Sequence, residues 1–213
     1  MMTWRLFSKR ISDAELMAKT LVEQDNYIDL LEGQDVIRCP TCKLPMDPFN
    51  HGFKSKRKTK RYDVSFCRDG FTLLSPRAKT FFETYSSSPI EFYETGAGYF
   101  VIRPERLVFL EMQYVNYGSE ALCATCGRFH SAIGRPLGIL KGQPPVGPFD
   151  VFRSAIELGP KPGKTFEIVV GDEFAKKFNE ERLSGAGCYD FKPNELFAKY
   201  PESLKSQSSN KRS

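Results

Sequence analysis

"RCPTCK" at Arg38–Lys43 and "LCATCG" at Leu122–Gly127 decide how this chain is built. Each stretch holds two cysteines with two residues between them, and about eighty residues separate the pairs. Tetrahedral zinc takes four soft ligands at about 2.3 Å. A Cys-x-x-Cys turn delivers two thiolates to one side of such an ion and leaves backbone amides free to bond the sulfurs. Two such turns close the site. Cys39, Cys42, Cys123 and Cys126 therefore read as one set of ligands for a structural zinc. Pro40 follows the first cysteine of one pair. Gly127 follows the second cysteine of the other, where glycine can take the left-handed backbone such turns need. Lys43 stands in the equivalent place of the first pair. A redox Cys-x-x-Cys is normally single and opens a helix after a strand. Neither pair here precedes a helical pattern. A four-thiolate site is closed, so no metal-bound water and no metal-assisted catalysis are expected.

The surroundings are those of an ordinary globular protein. The chain has 213 residues, 40% hydrophobic and 27% charged, long enough for one domain with a sizeable core. Eighteen Phe and nine Tyr suit strand-rich packing. No stretch approaches the roughly twenty apolar residues of a membrane span. The opening "MMTWRLFSKRISDAEL" has no apolar run resembling a signal sequence. The expected location is the cytoplasm, where paired cysteines more often bind metal than oxidise.

Outward from the cysteines, the pattern predicts a mixed α/β (α+β) fold with few helices. Ser12 and Glu15 have capping-box spacing, and Leu16, Met17, Leu21, Ile28 and Leu31 roughly follow helical spacing up to Gly33. Residues 1–34 are accordingly set apart as a helical segment, with a break near Asn26. "DVIR" reads as a strand entering the first pair. Residues 44–60 read as a loop. "YDVSFC" alternates like a strand, and "IEFYE", "GYFVI" and "RLVFLEMQYV" read as strands or strand-like runs; Phe71–Ser88 is ambiguous, and "RAKTFFETY" could be one short helix. "RPLGILKGQPPVGPFD", dense in Pro and Gly, reads as a long irregular connection. "DVFRSAIEL" and "KTFEIVV" are strands. "GDEFAKKFNEERL" is an amphipathic helix with Phe174, Phe178 and Leu183 on one face, and "GAGCYDFKP" a closing strand. The zinc-stapled domain is expected over 35–200, and 201–213 as a disordered tail.

Other residues are given plainer roles. Cys67 and Cys188 lie in apolar strand patterns and read as small buried hydrophobes. His51 and His130 are the two histidines, and neither sits near an evident nucleophile. His130 follows Cys126 by four residues, but four cysteines already complete the tetrahedron. "GPKPGKT" at Gly159–Thr165 has too few residues between its glycines for a phosphate loop and precedes a strand, so it reads as a turn. The run "KSKRKTKR", Lys54–Arg61, carries six basic residues. Removing them from the net charge of +5 leaves −1, so the body is nearly neutral. The run reads either as a solvated loop or as a contact to nucleic-acid phosphates, flanked by Phe53 and Tyr62.

With these motifs in place, the sequence resembles the double-CxxCG proteins, a family that includes immunity proteins of bacterial toxin–immunity pairs. The resemblance rests on "VIRCPTC", "LCATCGR", "FDVFR", "FEIVV", "GDEFAKKF" and "GCYDFKP", and spans most of 36–193. Lys43 departs from the glycine in the family's name, whereas Gly127 conforms. The resemblance implies a metal-stapled α/β protein that binds a cognate toxin and neutralises it by stoichiometric occlusion, without catalysis. It carries over Cys39, Cys42, Cys123 and Cys126 as metal ligands and assigns no toxin-binding residue. Were the toxin a nuclease, acids such as Glu91 and Glu94 in "EFYE" would be placed to mimic phosphate. The alternative is a zinc-containing nucleic-acid-binding protein that uses Lys54–Arg61. No membrane partner is expected.

Overall fold

The computed structural model describes residues 3–8, 36–47, 49, 53, 62–67, 70–95, 98–117, 122–129, 132–159 and 164–190. The capped helix over 12–33, the basic run 54–61, His51, His130 and the tail 201–213 lie outside the described residues.

Three sheets and two helices make up the described residues. The strands in chain order are β1 Thr3–Ser8, β2 Val64–Phe66, β3 Thr72–Leu74, β4 Ile90–Glu94, β5 Phe100–Pro104, β6 Leu107–Val108, β7 Leu110–Tyr117, β8 Ala132–Ile139, β9 Val151–Leu158, β10 Thr165–Gly171 and β11 Ala186–Asp190. The helices are α1 Pro76–Tyr85 and α2 Asp172–Glu180. A five-stranded sheet runs β11-β1-β10-β9-β6, a four-stranded sheet β2-β3-β5-β4, and β7 pairs with β8 as a ribbon. The first is mixed, since β6 lies parallel to β9 while the other pairings are antiparallel. The architecture is α+β, as the sequence pattern predicts.

β10, α2 and β11 form a split β-α-β unit, with β1 inserted antiparallel to both strands. The sequence reading gave no strand to "TWRLFS", yet Thr3–Ser8 stands inside the five-stranded sheet. α1 starts where Ser75 accepts from the Ala78 amide, with Pro76 at the first turn. α2 has no side-chain cap, but Asp172 and Glu173 oppose its dipole.

The main core lies where both sheets meet both helices. Phe81 and Phe82 of α1 and Phe174 and Phe178 of α2 are all buried, and their rings lie 5.1–6.2 Å apart across the helices. Leu183 closes the same face of α2, as its spacing predicts. Central strands are buried on both sides. Ile168 and Val170 of β10 face this core, while Val169 faces a second one with Val108, Val146 and Phe152. A third cluster, on the other face of β3 and β5, joins Phe49, Phe53, Cys67, Phe71 and Val101.

Two local expectations are corrected. "AIGRPLGI" belongs to β8 and not to an irregular connection. Its ladder with β7 shifts by one residue between Leu110↔Ile139, Glu111↔Gly138 and Met112↔Pro136. A bulge of this kind, in a ribbon of two strands, accommodates a proline that lacks an amide donor. The described part of "DVIR", 36–38, forms no strand, and Arg38 sits in an isolated bridge to Pro45.

Candidate metal centre

The two cysteine turns are built alike, residue for residue. In the first, the Cys39 amide donates to the Leu44 carbonyl (2.8 Å) and the Lys43 amide to the Cys39 carbonyl (2.9 Å). In the second, the Cys123 amide donates to Arg128 (2.9 Å) and the Gly127 amide to Cys123 (2.8 Å). Arg38 bridges Pro45 as Leu122 bridges Phe129. The residue after each pair has a left-handed backbone, with φ of 61° at Lys43 and 66° at Gly127. The turn thus demands the conformation that Gly127 takes freely, and Lys43 adopts it too.

These hairpins meet across an approximate two-fold relation. Cys39 Sγ lies 3.6 Å from Cys123 Sγ, Cys42 Sγ 3.6 Å from Cys126 Sγ, and Thr41 Oγ1 2.7 Å from Thr125 Oγ1, each pair 84 residues apart. Each residue touches its own counterpart, as groups near a two-fold axis must. The four sulfurs all lie within 4.8 Å of one another. Four sulfurs at about 2.3 Å from one ion stand about 3.8 Å apart in a tetrahedron, so the set fits such an ion. Cys39, Cys42 and Cys123 are buried and Cys126 half-buried. Cys39, Cys42, Cys123 and Cys126, the ligands read from the sequence, can hold a metal ion.

The electrostatics favour a bound cation. The Cys126 and Thr125 amides aimed at its sulfur lower the Cys123 thiol to about 6, and the Cys42 and Thr41 amides lower Cys39. Burial among the other sulfurs pushes Cys126 up to about 12. Four thiols so close cannot all ionise unless positive charge sits among them.

Two cations that the sequence reading passed over pack beside the hairpins. Arg128 donates through Nε (3.0 Å) and Nη2 to Glu157 of β9, and through Nη1 to the Pro45 carbonyl in the other hairpin. Lys164, buried just before β10, donates to the Phe129 carbonyl and lies 3.7 Å from Glu157. Burial lowers the Lys164 pKa, and the charges of Glu157, Cys42 and Cys126 oppose that shift. Arg128 thus ties both hairpins to the five-stranded sheet. Lys164 is the lysine of "GPKPGKT". That stretch leads into strand β10, and Lys164 is engaged by the Phe129 carbonyl and Glu157.

The remaining candidates fall elsewhere. Cys67 and Cys188 are buried in apolar clusters away from the four sulfurs, and burial raises the Cys188 pKa. Glu91 accepts from Tyr93 Oη (2.5 Å) and Arg103 Nη1 (2.9 Å), so its charge is engaged within the protein. Glu94 is exposed at the end of β4. Among the described residues, no helix is long and apolar enough to cross a membrane. Compared with protein-family models, curated proteins and solved structures, the chain finds no match.

Proposed function

We propose that this protein is the immunity partner of a bacterial toxin, that it acts by binding and occluding that toxin in the cytoplasm, and that its four cysteines hold one structural zinc. The observation that carries the reading is the pair of like-built Cys-x-x-Cys hairpins that converge on one site. They are the motifs on which the resemblance to the double-CxxCG proteins rests. Zinc is favoured over other metals by the all-thiolate donor set and near-tetrahedral sulfur spacing. Four thiolates leave the ion no open position, which suits a staple and not a catalyst.

Binding without catalysis agrees with what surrounds the site. The metal joins residues 39–42 to 123–126, and Arg128 joins both to β9, so the strands between them are held as one rigid platform. Rigid aromatic and arginine side chains such as Tyr93 and Arg103 are the groups that dominate protein interfaces.

Affinity capture of the tagged full chain from its native cells, with and without nuclease treatment, tests the proposal by mass spectrometry. One stoichiometric protein that survives nuclease, and whose expression alone arrests growth unless this chain is co-expressed, supports it. Ribosomal or DNA-associated proteins lost on nuclease treatment would replace it with nucleic-acid binding through Lys54–Arg61.

A further inference from the structure

We infer that Arg153 and Arg103, gathered on the ring of Phe49, form a binding site for an oxyanion of the phosphate or carboxylate class. The two guanidiniums come from different sheets, Arg153 from β9 and Arg103 from β5. Arg103 lies 5.1 Å and Arg153 6.0 Å from the Phe49 ring centre, and Arg153 also lies 4.7 Å from that of Phe166. Arg153 lines a small cleft with Phe49, Thr72 and Phe166.

Among the described residues, neither arginine has its donors filled. A guanidinium offers five N–H donors in a planar fork. Arg153 donates from Nε to the Pro104 carbonyl (3.0 Å). Among the described residues it has no ion-pair partner, although it is half-buried. Arg103 spends Nη1 on Glu91 and Tyr93, while its Nε is buried with no acceptor among the described residues. Glu91 is the carboxylate bonded to Arg103, and it also takes the Tyr93 hydroxyl, while Glu157, Asp47 and Glu91 act on Arg153 only through space. Burial and the nearby Arg103 charge lower the Arg153 pKa, and those three carboxylates only partly oppose that shift. An unpaired, partly desolvated charge is costly, and a buried donor without an acceptor calls for a missing group. Two oxygens of a carboxylate or a phosphate fit the guanidinium fork by paired bonds, and flanking rings shield those bonds from water.

The test is NMR of the arginine Nε–H resonances in the zinc-loaded full chain. Sodium phosphate and sodium acetate are titrated separately at fixed ionic strength, with chloride as the reference. The expected result is a saturable shift of the Arg103 and Arg153 signals at millimolar concentration or below. Arg153→Met, which keeps the stem over Phe166, weakens it by about tenfold or more. Arg103→Met serves the same purpose if the first variant does not fold. A response to phosphate alone assigns a free phosphate group as the ligand, and a response to acetate as well assigns acidic side chains of a protein partner. Absence of a saturable shift up to about 50 mM, well above a millimolar dissociation constant, would overturn the proposal. So would equal shifts in chloride or an unchanged response in Arg153→Met.

Discussion

Replacing Glu157 with glutamine separates the stability of the metal platform from metal binding itself. Glu157 is 8% exposed, and its carboxylate takes two bonds from Arg128 while facing Lys164, whose side chain is 3% exposed. The Glu157→Gln change would keep the shape, remove the charge and leave two cations without their carboxylate. Breaking a buried pair costs about 3–5 kcal/mol, and the partial exposure of Arg128 favours the lower end, about 3 kcal/mol. A domain of this size loses about 2–4 °C of Tm per kcal/mol, so a fall of about 6–12 °C follows. The four cysteines and the Lys164 charge near Cys42 and Cys126 would remain, so on the proposed reading the variant should keep its metal. Thermal and urea unfolding by circular dichroism, with metal analysis of the same samples, measures both. Glu83→Gln is the control: its i,i+4 pair with Lys79 is on the surface and should cost about 0.5 kcal/mol or less. A Glu157→Gln protein within about 1 kcal/mol of the parent would refute the reasoning, because such a loss is typical of a surface pair and not of a buried one. Loss of zinc without loss of stability would refute it equally.

Three further outcomes follow from the same geometry. Cys42→Ser, or removal of the metal with a strong chelator, should unfold or aggregate the protein, since metal binding energy is folding energy here; a soluble, metal-loaded, cooperatively unfolding variant would contradict this. Gly70→Ala and Gly127→Ala should differ sharply in soluble yield and Tm, although both positions have positive φ. A Cβ at Gly70 would lie 1.6 Å from the Lys164 carbonyl oxygen, so that variant should not fold, whereas one at Gly127 meets nothing within 4 Å and should cost only the left-handed strain of about 1–2 kcal/mol. Asp150→Asn tests pH dependence. Burial raises the Asp150 carboxyl, but the Gly147 amide, the Ser87 and Ser88 hydroxyls and Arg106 outweigh it and hold its pKa down. A depressed folded pKa contributes stability above the unfolded value, near 3.9, that is lost as pH falls through the folded one. The stability gap between parent and Asp150→Asn, measured by urea unfolding, should therefore be full near neutrality and shrink below about pH 4; a gap independent of pH would count against it.

Legibility in the sequence followed the range of the interactions involved. The cysteine ligands were readable because a knuckle is local: two thiols, a turn and a left-handed residue lie within six positions. Helix α2 and strands β9–β11 were readable because Phe174, Phe178, Val151, Val170 and Ala186 carry the periods of elements packed on one core. β8 was lost to its proline and glycines, whose turn signal was outweighed by pairing with β7. β1 was passed over because "TWRLFS" is short, and only its placement between β10 and β11 makes it a strand. The Arg128–Glu157–Lys164 cluster was not readable. Arg128 lies 29 residues from Glu157 and Lys164 lies 35 from the Phe129 carbonyl it bonds, so no local motif spacing joins Glu157 and Lys164 to the second hairpin. Lys43 shows the limit in the other direction. A glycine was expected at that place, yet the turn forms with a lysine because the rest of the hairpin fixes its backbone.

The most direct test of the central claim is X-ray absorption at the zinc edge of the full chain, purified without added metal and quantified for zinc per chain. The account predicts one zinc per chain and a shell of four sulfurs at about 2.3 Å with no lighter ligand. A shell containing nitrogen or oxygen, or a folded chain without stoichiometric zinc, would contradict it.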